Sequence, residues 1–160
     1  MHLAAGRLAD GRVIALRAIR DDGGVCLLIV GIDTQTRGCG RAAQARHPAA
    51  RRPVRAEATV TRKGAEQVEV FAATSARVAR VRLLVRGAEL APDQSLLLRA
   101  NDAAALDRAG ITTGPFGLFF AELPRRSAGI RAIALDARGD RIGTTQFHHL
   151  AKMGERFILG

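Results

Sequence analysis

The pattern of this chain predicts an all-β fold, an immunoglobulin-like antiparallel β-sandwich with one short helix and a C-terminal tail. Three observations carry that expectation. Alternating segments of strand length recur about every ten residues, with glycine-bearing turns between them. Two runs, VCLLIVGID at 25–33 and FGLFFAELP at 116–124, are apolar without alternation, as in strands covered on both faces. Helical spacing occurs only near Asp102 and in the tail.

Taken in order, residues 12–19 alternate, with Ile14, Leu16 and Ala18 on one face and Arg17 on the other. Asp21-Asp22-Gly23-Gly24 has the composition of a turn and joins this segment to the 25–33 run as a hairpin. From 34 to 53 the sequence TQTRGCGRAAQARHPAARRP reads as a long exposed loop, with one helical turn available at 41–46. Val54, Ala56, Ala58 and Val60 then alternate with Arg55, Glu57, Thr59 and Thr61, a half-buried strand. Lys63-Gly64 turns it into a partner with Val68, Val70 and Ala72 inward. In 78–85, Ala79, Val81, Leu83 and Val85 share one face while Arg80, Arg82 and Arg86 take the other, and Arg86-Gly87 closes the segment. A short strand at 96–98 follows. Asn101 or Asp102 caps a brief helix through Ala103 and Leu106, stopped at Gly110. After the run at 116–124, residues 130–136 and 141–147 form a last hairpin through Ala137-Arg138-Gly139. The reading divides the chain into a sandwich domain at 1–147 and a tail at 148–160, helical or extended, in which Leu150, Met153 and Phe157 have helical spacing.

A chain of 160 residues buries roughly 70% of its unfolded surface as one domain. With no Trp or Tyr, its core must come from Val, Ile, Leu and Phe. The formal charge is +10 and only Lys63 and Lys152 are lysines. Arg, Ala and Gly share GC-rich codons, so part of this bias can report a genome. A strongly basic domain nonetheless attracts nucleic acid or anionic surfaces. The first twelve residues lack the apolar core of a secretory signal, and there is no transmembrane segment in the chain. That leaves a cytoplasmic protein, or one whose leader or anchor was removed upstream.

The candidate chemistry is sparse. Cys26 and Cys39 form either one disulfide, contributing about 3 kcal/mol, or two buried thiols. Gly38-Cys39-Gly40-Arg41-Ala42-Ala43 formally matches GxGxxA, but the strand-to-helix context of a dinucleotide site is missing. Arg138-Gly139-Asp140 has the form of an integrin-binding tripeptide and the commonplace composition of a hairpin tip. His148 and His149, with His2 and His47, gain no Cys or carboxylate cluster, so no metal and no cofactor is expected. No catalytic set is recognisable. The basic stretch holding Arg37, Arg41, Arg46, Arg51, Arg52 and Arg55 is the candidate contact surface. It contains no aromatic platform for base stacking, so nucleic acid is possible but not favoured, and outward arginines also protect strand edges.

Several pieces together resemble a loose family of secreted or membrane-anchored domains from high-GC actinobacteria. They are Gly23 to Leu27, Cys39-Gly40, ARVARVRLLVRGAEL, FGLFFAELP and ALDARGDRIG, in an order and spacing covering residues 6–147. The resemblance implies an extracytoplasmic β-sandwich with a Cys26–Cys39 bridge and no known activity. The expected function is a non-enzymatic interaction or sensor module at a cell surface, its partner an unidentified protein or anionic surface. The alternatives are a cytosolic nucleic-acid-binding β-barrel using the same arginines and, more weakly, a hydrolase with an unrecognised site.

Overall fold

The computed structural model describes residues 1–21, 24–30, 35–40, 52–61, 67–124 and 129–147, with the backbone alone at 21, 35–40, 57–61 and 67. Its described residues form an all-β sandwich with one short helix. Twelve strands are described: β1 (His2–Arg7), β2 (Val13–Asp21), β3 (Gly24–Val30), β4 (Gln35–Gly40), β5 (Val54–Thr61), β6 (Gln67–Ser75), β7 (Arg80–Val85), β8 (Ala88–Leu90), β9 (Gln94–Ala100), β10 (Phe116–Pro124), β11 (Ile130–Leu135) and β12 (Arg141–Gln146). Helix α1 (Ala103–Ala109) lies between β9 and β10. They form three four-stranded antiparallel sheets: sheet A, in the order β1-β2-β3-β4; sheet B, β5-β6-β10-β9; and sheet C, β12-β11-β7-β8. The sequence pattern announces a sandwich but not its third sheet.

Sheet B is the middle layer. Along its strands, alternate residues enter two different cores. Phe71, Leu98, Phe116, Leu118 and Phe120 pack with Leu3, Ile14, Leu16, Ala18, Val25 and Ile29 of sheet A and with Ala105 and Leu106 of α1. Val68, Val70, Ala72, Phe119, Ala121 and Leu123 pack instead with Leu83, Ile130, Ala132 and Ala134 of sheet C. This is why FGLFFAELP shows no alternation. Both faces of β10 are interior, and only its last residue, Pro124, is exposed. Phe120 and Phe71 stack at a tilt with ring centroids 5.2 Å apart, directly opposite each other in the β10–β6 register.

The layers join at two corners where strands pack side by side without forming a ladder. At the first, β1 lies against β9. A side chain at Gly6 would bring its Cβ 2.8–3.0 Å from the methyl groups of Leu96 and Leu98, so the strands approach closely only because that position is glycine. At the second, β12 lies against β5. There the Ala56 N–H donates to the Thr145 hydroxyl at 3.0 Å.

Local chemistry accounts for the other elements. Asp102 caps α1, its carboxylate accepting from the Ala105 N–H at 3.1 Å, and Gly110 ends it in the left-handed region. Arg86 and Gly87 both have positive φ, 52° and 85°, in the two-residue turn joining β7 to β8, the conformation that twisted hairpins favour. Ala79, expected inward with Val81 and Leu83, is exposed. It precedes the strand, and its N–H donates to the Leu135 carbonyl.

A second expectation is corrected. The stretch 34–53 is not a loop throughout, because its first part is β4, paired with β3. Its residues carry little strand propensity. The unpaired backbone groups of β3 supply the reason for the strand, since burial leaves them needing partners. Strand β1 was likewise not visible in HLAAGR, whose pattern is interrupted by a bulge between His2 and Ala4.

Replacing Phe120 with Ala should cost about 3–5 kcal/mol, read from urea unfolding. A change within about half a kcal/mol, the range of surface substitutions, would mean that β10 is not central.

Candidate functional site

The buried Glu122 meets partly exposed charged groups where the β1–β2 turn of sheet A reaches β9 and β10 of sheet B. The turn is closed by the Leu8 N–H donating to the Arg12 carbonyl at 2.8 Å and by Arg7 Nη1 donating to the Gly11 carbonyl. This geometry sets Asp10 and Arg12 side by side. Asp10 Oδ1 accepts from the Arg12 N–H at 3.0 Å, and its Oδ2 accepts from Arg12 Nε and Gln94 Nε2, both at 2.6 Å. Gln94 completes the pairing by accepting from the Asp10 N–H at 3.1 Å. Arg12 Nη2 then reaches Glu122 Oε1 at 2.6 Å.

Glu122 stands opposite Gln94 on β9 and opposite Glu69 on β6. Both acids are buried, at 2% and 5% exposure, on the face of sheet B that looks toward sheet A. Two carboxylates directly opposite on one face repel. Arg12 supplies the compensating charge at Glu122, whose Oε2 is buried without a hydrogen-bond partner. Burial acts to lower the Arg12 pKa, but the hydrogen bonds it donates to Glu122 and Asp10 outweigh it and hold the guanidinium above its ordinary value. The Asp10 carboxyl falls from 3.8 to about 2, chiefly through the Gln94 side chain and then the Arg12 N–H. Paired carboxylates can serve acid–base chemistry only where substrate reaches them. These are sealed between two sheets, so the arrangement acts as a clamp fastening the hairpin of sheet A to sheet B. Sequence reading missed it. The available signal was an acid inside each of two otherwise apolar stretches, VEVF and FFAELP, since buried acids require partners.

The sequence-derived candidates are dispersed. In the β3–β4 register Cys26 faces Cys39 and Leu28 faces Arg37. Cys26 is 1% exposed. Arg52 is exposed and Arg55 half-buried, on the face of β5 opposite to that of Val54. Arg41, Arg46 and Arg51 lie outside the described residues, as do His47 and the tail at 148–160. Gly38 and Gly40 are strand residues, which removes the strand-to-helix context that GxGxxA requires. The Arg138-Gly139-Asp140 turn is organised by Asp136, whose Oδ1 accepts from the N–H groups of Arg138 and Asp140. Among the described residues, no three His, Cys, Asp or Glu side chains gather as a metal set, and no helix is long and apolar enough to cross a membrane.

Exposed positive charge gathers instead on the outer face of sheet C. Arg80 and Arg82 of β7 and Arg131 of β11 alternate with the core residues Leu83, Ile130 and Ala132, and Arg141 opens β12 opposite Leu135. All four are exposed. Of these four, Arg82 makes a bidentate pair with Glu89 of β8, which also feels the charge of Arg80. No family model, curated protein or solved structure matches this chain.

Arg12→Met should destabilise the fold by about 2–4 kcal/mol, because it strands the Glu122 carboxylate; one-sided breaking of a fully buried pair costs about 3–5, and Arg12 is 24% exposed along its side chain. The double variant Arg12→Met/Glu122→Met should recover most of that loss. Equal losses in both would refute the clamp. The depressed Asp10 pKa means that the folded state binds the proton less readily than the unfolded chain. Its contribution is therefore present above 3.8 and disappears as pH falls toward about 2. The stability gap between the native chain and Asp10→Asn should close over that window in acid titrations monitored by urea unfolding.

Proposed function

We propose that the chain is a non-enzymatic interaction or sensor module that engages an anionic partner outside the cytoplasm, at a cell surface. The observation that carries this reading is the separation of charges. Glu122, Asp10 and Arg12 are consumed in a structural clamp, whereas arginine stands exposed and largely unpaired on the outer face of sheet C. Arg52 adds to this exposed positive charge. A surface so arranged attracts polyanions by long-range field.

The extracytoplasmic part of the proposal rests on the family resemblance and on a disulfide between Cys26 and Cys39. Its support is their directly opposed register in adjacent antiparallel strands, where α-carbons lie about 4.5–5.5 Å apart, within the span of a disulfide. Such a bridge would join β4, an edge strand with little apolar content, to the middle of its sheet, and it would persist in an oxidising compartment.

Two measurements test the reading. Protein prepared in an oxidising compartment, alkylated under denaturing and non-reducing conditions, should show no free thiol by intact mass and two after reduction. Two free thiols at the outset would remove the bridge and the argument for compartment. Separately, the chain should be retained on heparin, used as a generic polyanion, with retention falling steeply as salt rises. Passage without retention at low salt would refute the anionic partner.

A further inference from the structure

We infer that the outer face of sheet C docks this protein onto an anionic lipid bilayer, an inference that rests on the reading of the chain as a binding module and names its partner. Arg80 and Arg82 sit two residues apart on β7, about 7 Å along the strand. Arg131 is one strand away and Arg141 two, adding about 5 and 10 Å across the sheet. The charges thus spread in two dimensions rather than along a line. Glu89 pairs with Arg82 and lies within electrostatic reach of Arg80, while Asp136 and Asp140 lie in the β11–β12 turn beside Arg141, so the four arginines carry the excess charge only toward Arg80 and Arg131.

The form of the face selects among polyanions. A DNA major groove about 12 Å wide admits a helix or a two-stranded ribbon, and the face of a four-stranded sheet, about 15 Å across or more, is too broad to enter it. Single-stranded nucleic acid binds through aromatic platforms. The described phenylalanines, Phe71, Phe116, Phe119, Phe120 and Phe147, are all buried, so none lies on this face. A bilayer makes neither demand, because it presents an extended plane of phosphate-bearing headgroups. Between the arginines, Leu84 opposite Arg131 and Ile133 opposite Arg82 are half-buried. They offer short aliphatic contacts at the headgroup boundary while the guanidiniums take the phosphates. Arg86, exposed in the β7–β8 turn, extends the positive rim at the end of the sheet near Arg131.

The test is co-sedimentation of the full chain with phosphatidylcholine vesicles, with and without phosphatidylglycerol, over a range of salt. Binding should require phosphatidylglycerol and weaken as salt rises. The variant Arg80→Gln/Arg131→Gln/Arg141→Gln keeps the Arg82–Glu89 pair and should lower partitioning about 100-fold, at about 1 kcal/mol for each charge. If the triple variant unfolds, each single variant should still lose about 5-fold. Undiminished binding by the variants, or binding lost only in Arg51→Gln/Arg52→Gln, would overturn the assignment to sheet C. Retention on heparin, or binding to duplex DNA, without any vesicle binding would overturn the lipid partner and leave the binding-module reading standing. Absence of binding to vesicles and heparin alike would overturn both.

Discussion

Everything in this fold depends on burying the middle sheet on both faces. A sheet covered on one side can place polar residues on the other, but β6 and β10 have no such outlet. Each side chain from Phe116 to Leu123 is interior, and at close-packed density a change of even one methylene is felt by the neighbouring layer. The same constraint explains why Glu122 needs Arg12. A carboxylate between two apolar layers is tolerable only when a counter-charge is delivered to it. Here the delivery comes from a turn of the adjoining sheet, so this buried acid doubles as the fastening between layers A and B.

That constraint also marks how far the sequence could be read. The unbroken apolar run of β10 was legible because two-sided burial erases alternation. Asp102 and Gly110 were legible as helix caps, and Ile14, Leu16 and Ala18 as one inward face, because each depends on neighbours close in sequence. What escaped depends on partners far away. β4 is a strand because β3 lies beside it. The place of Gly6 is set by Leu96 and Leu98, on a strand some ninety residues on. The clamp unites residues 10, 12, 94 and 122, which no local window contains. The third sheet escaped for the same reason: alternation tells that a strand has an inner face but not which of two cores that face meets.

The candidate contact surface shows the same division. An arginine-rich stretch such as 37–55 is conspicuous as a run. The arginines of sheet C come from 80, 82, 131 and 141, and only antiparallel pairing of β7, β11 and β12 brings them onto one face. Composition announced a basic protein, and topology decides where the charge can act.

The strand order has a consequence for the growing chain. Sheet A is a meander of consecutive strands, β1 to β4, and its ladder is complete once residue 40 has emerged. Sheet B cannot close until β10 arrives, because β10 is inserted between β6 and β9. Until then the cover over Ile14, Leu16, Val25 and Ile29 lacks Phe116, Leu118 and Phe120. A nascent chain of this topology therefore carries a finished sheet whose greasy face is incompletely covered until β10 emerges. At about 5–20 residues per second, the eighty-odd residues from β4 to the end of β10 leave that face incompletely covered for several seconds or more, a window in which a chaperone would find its natural target.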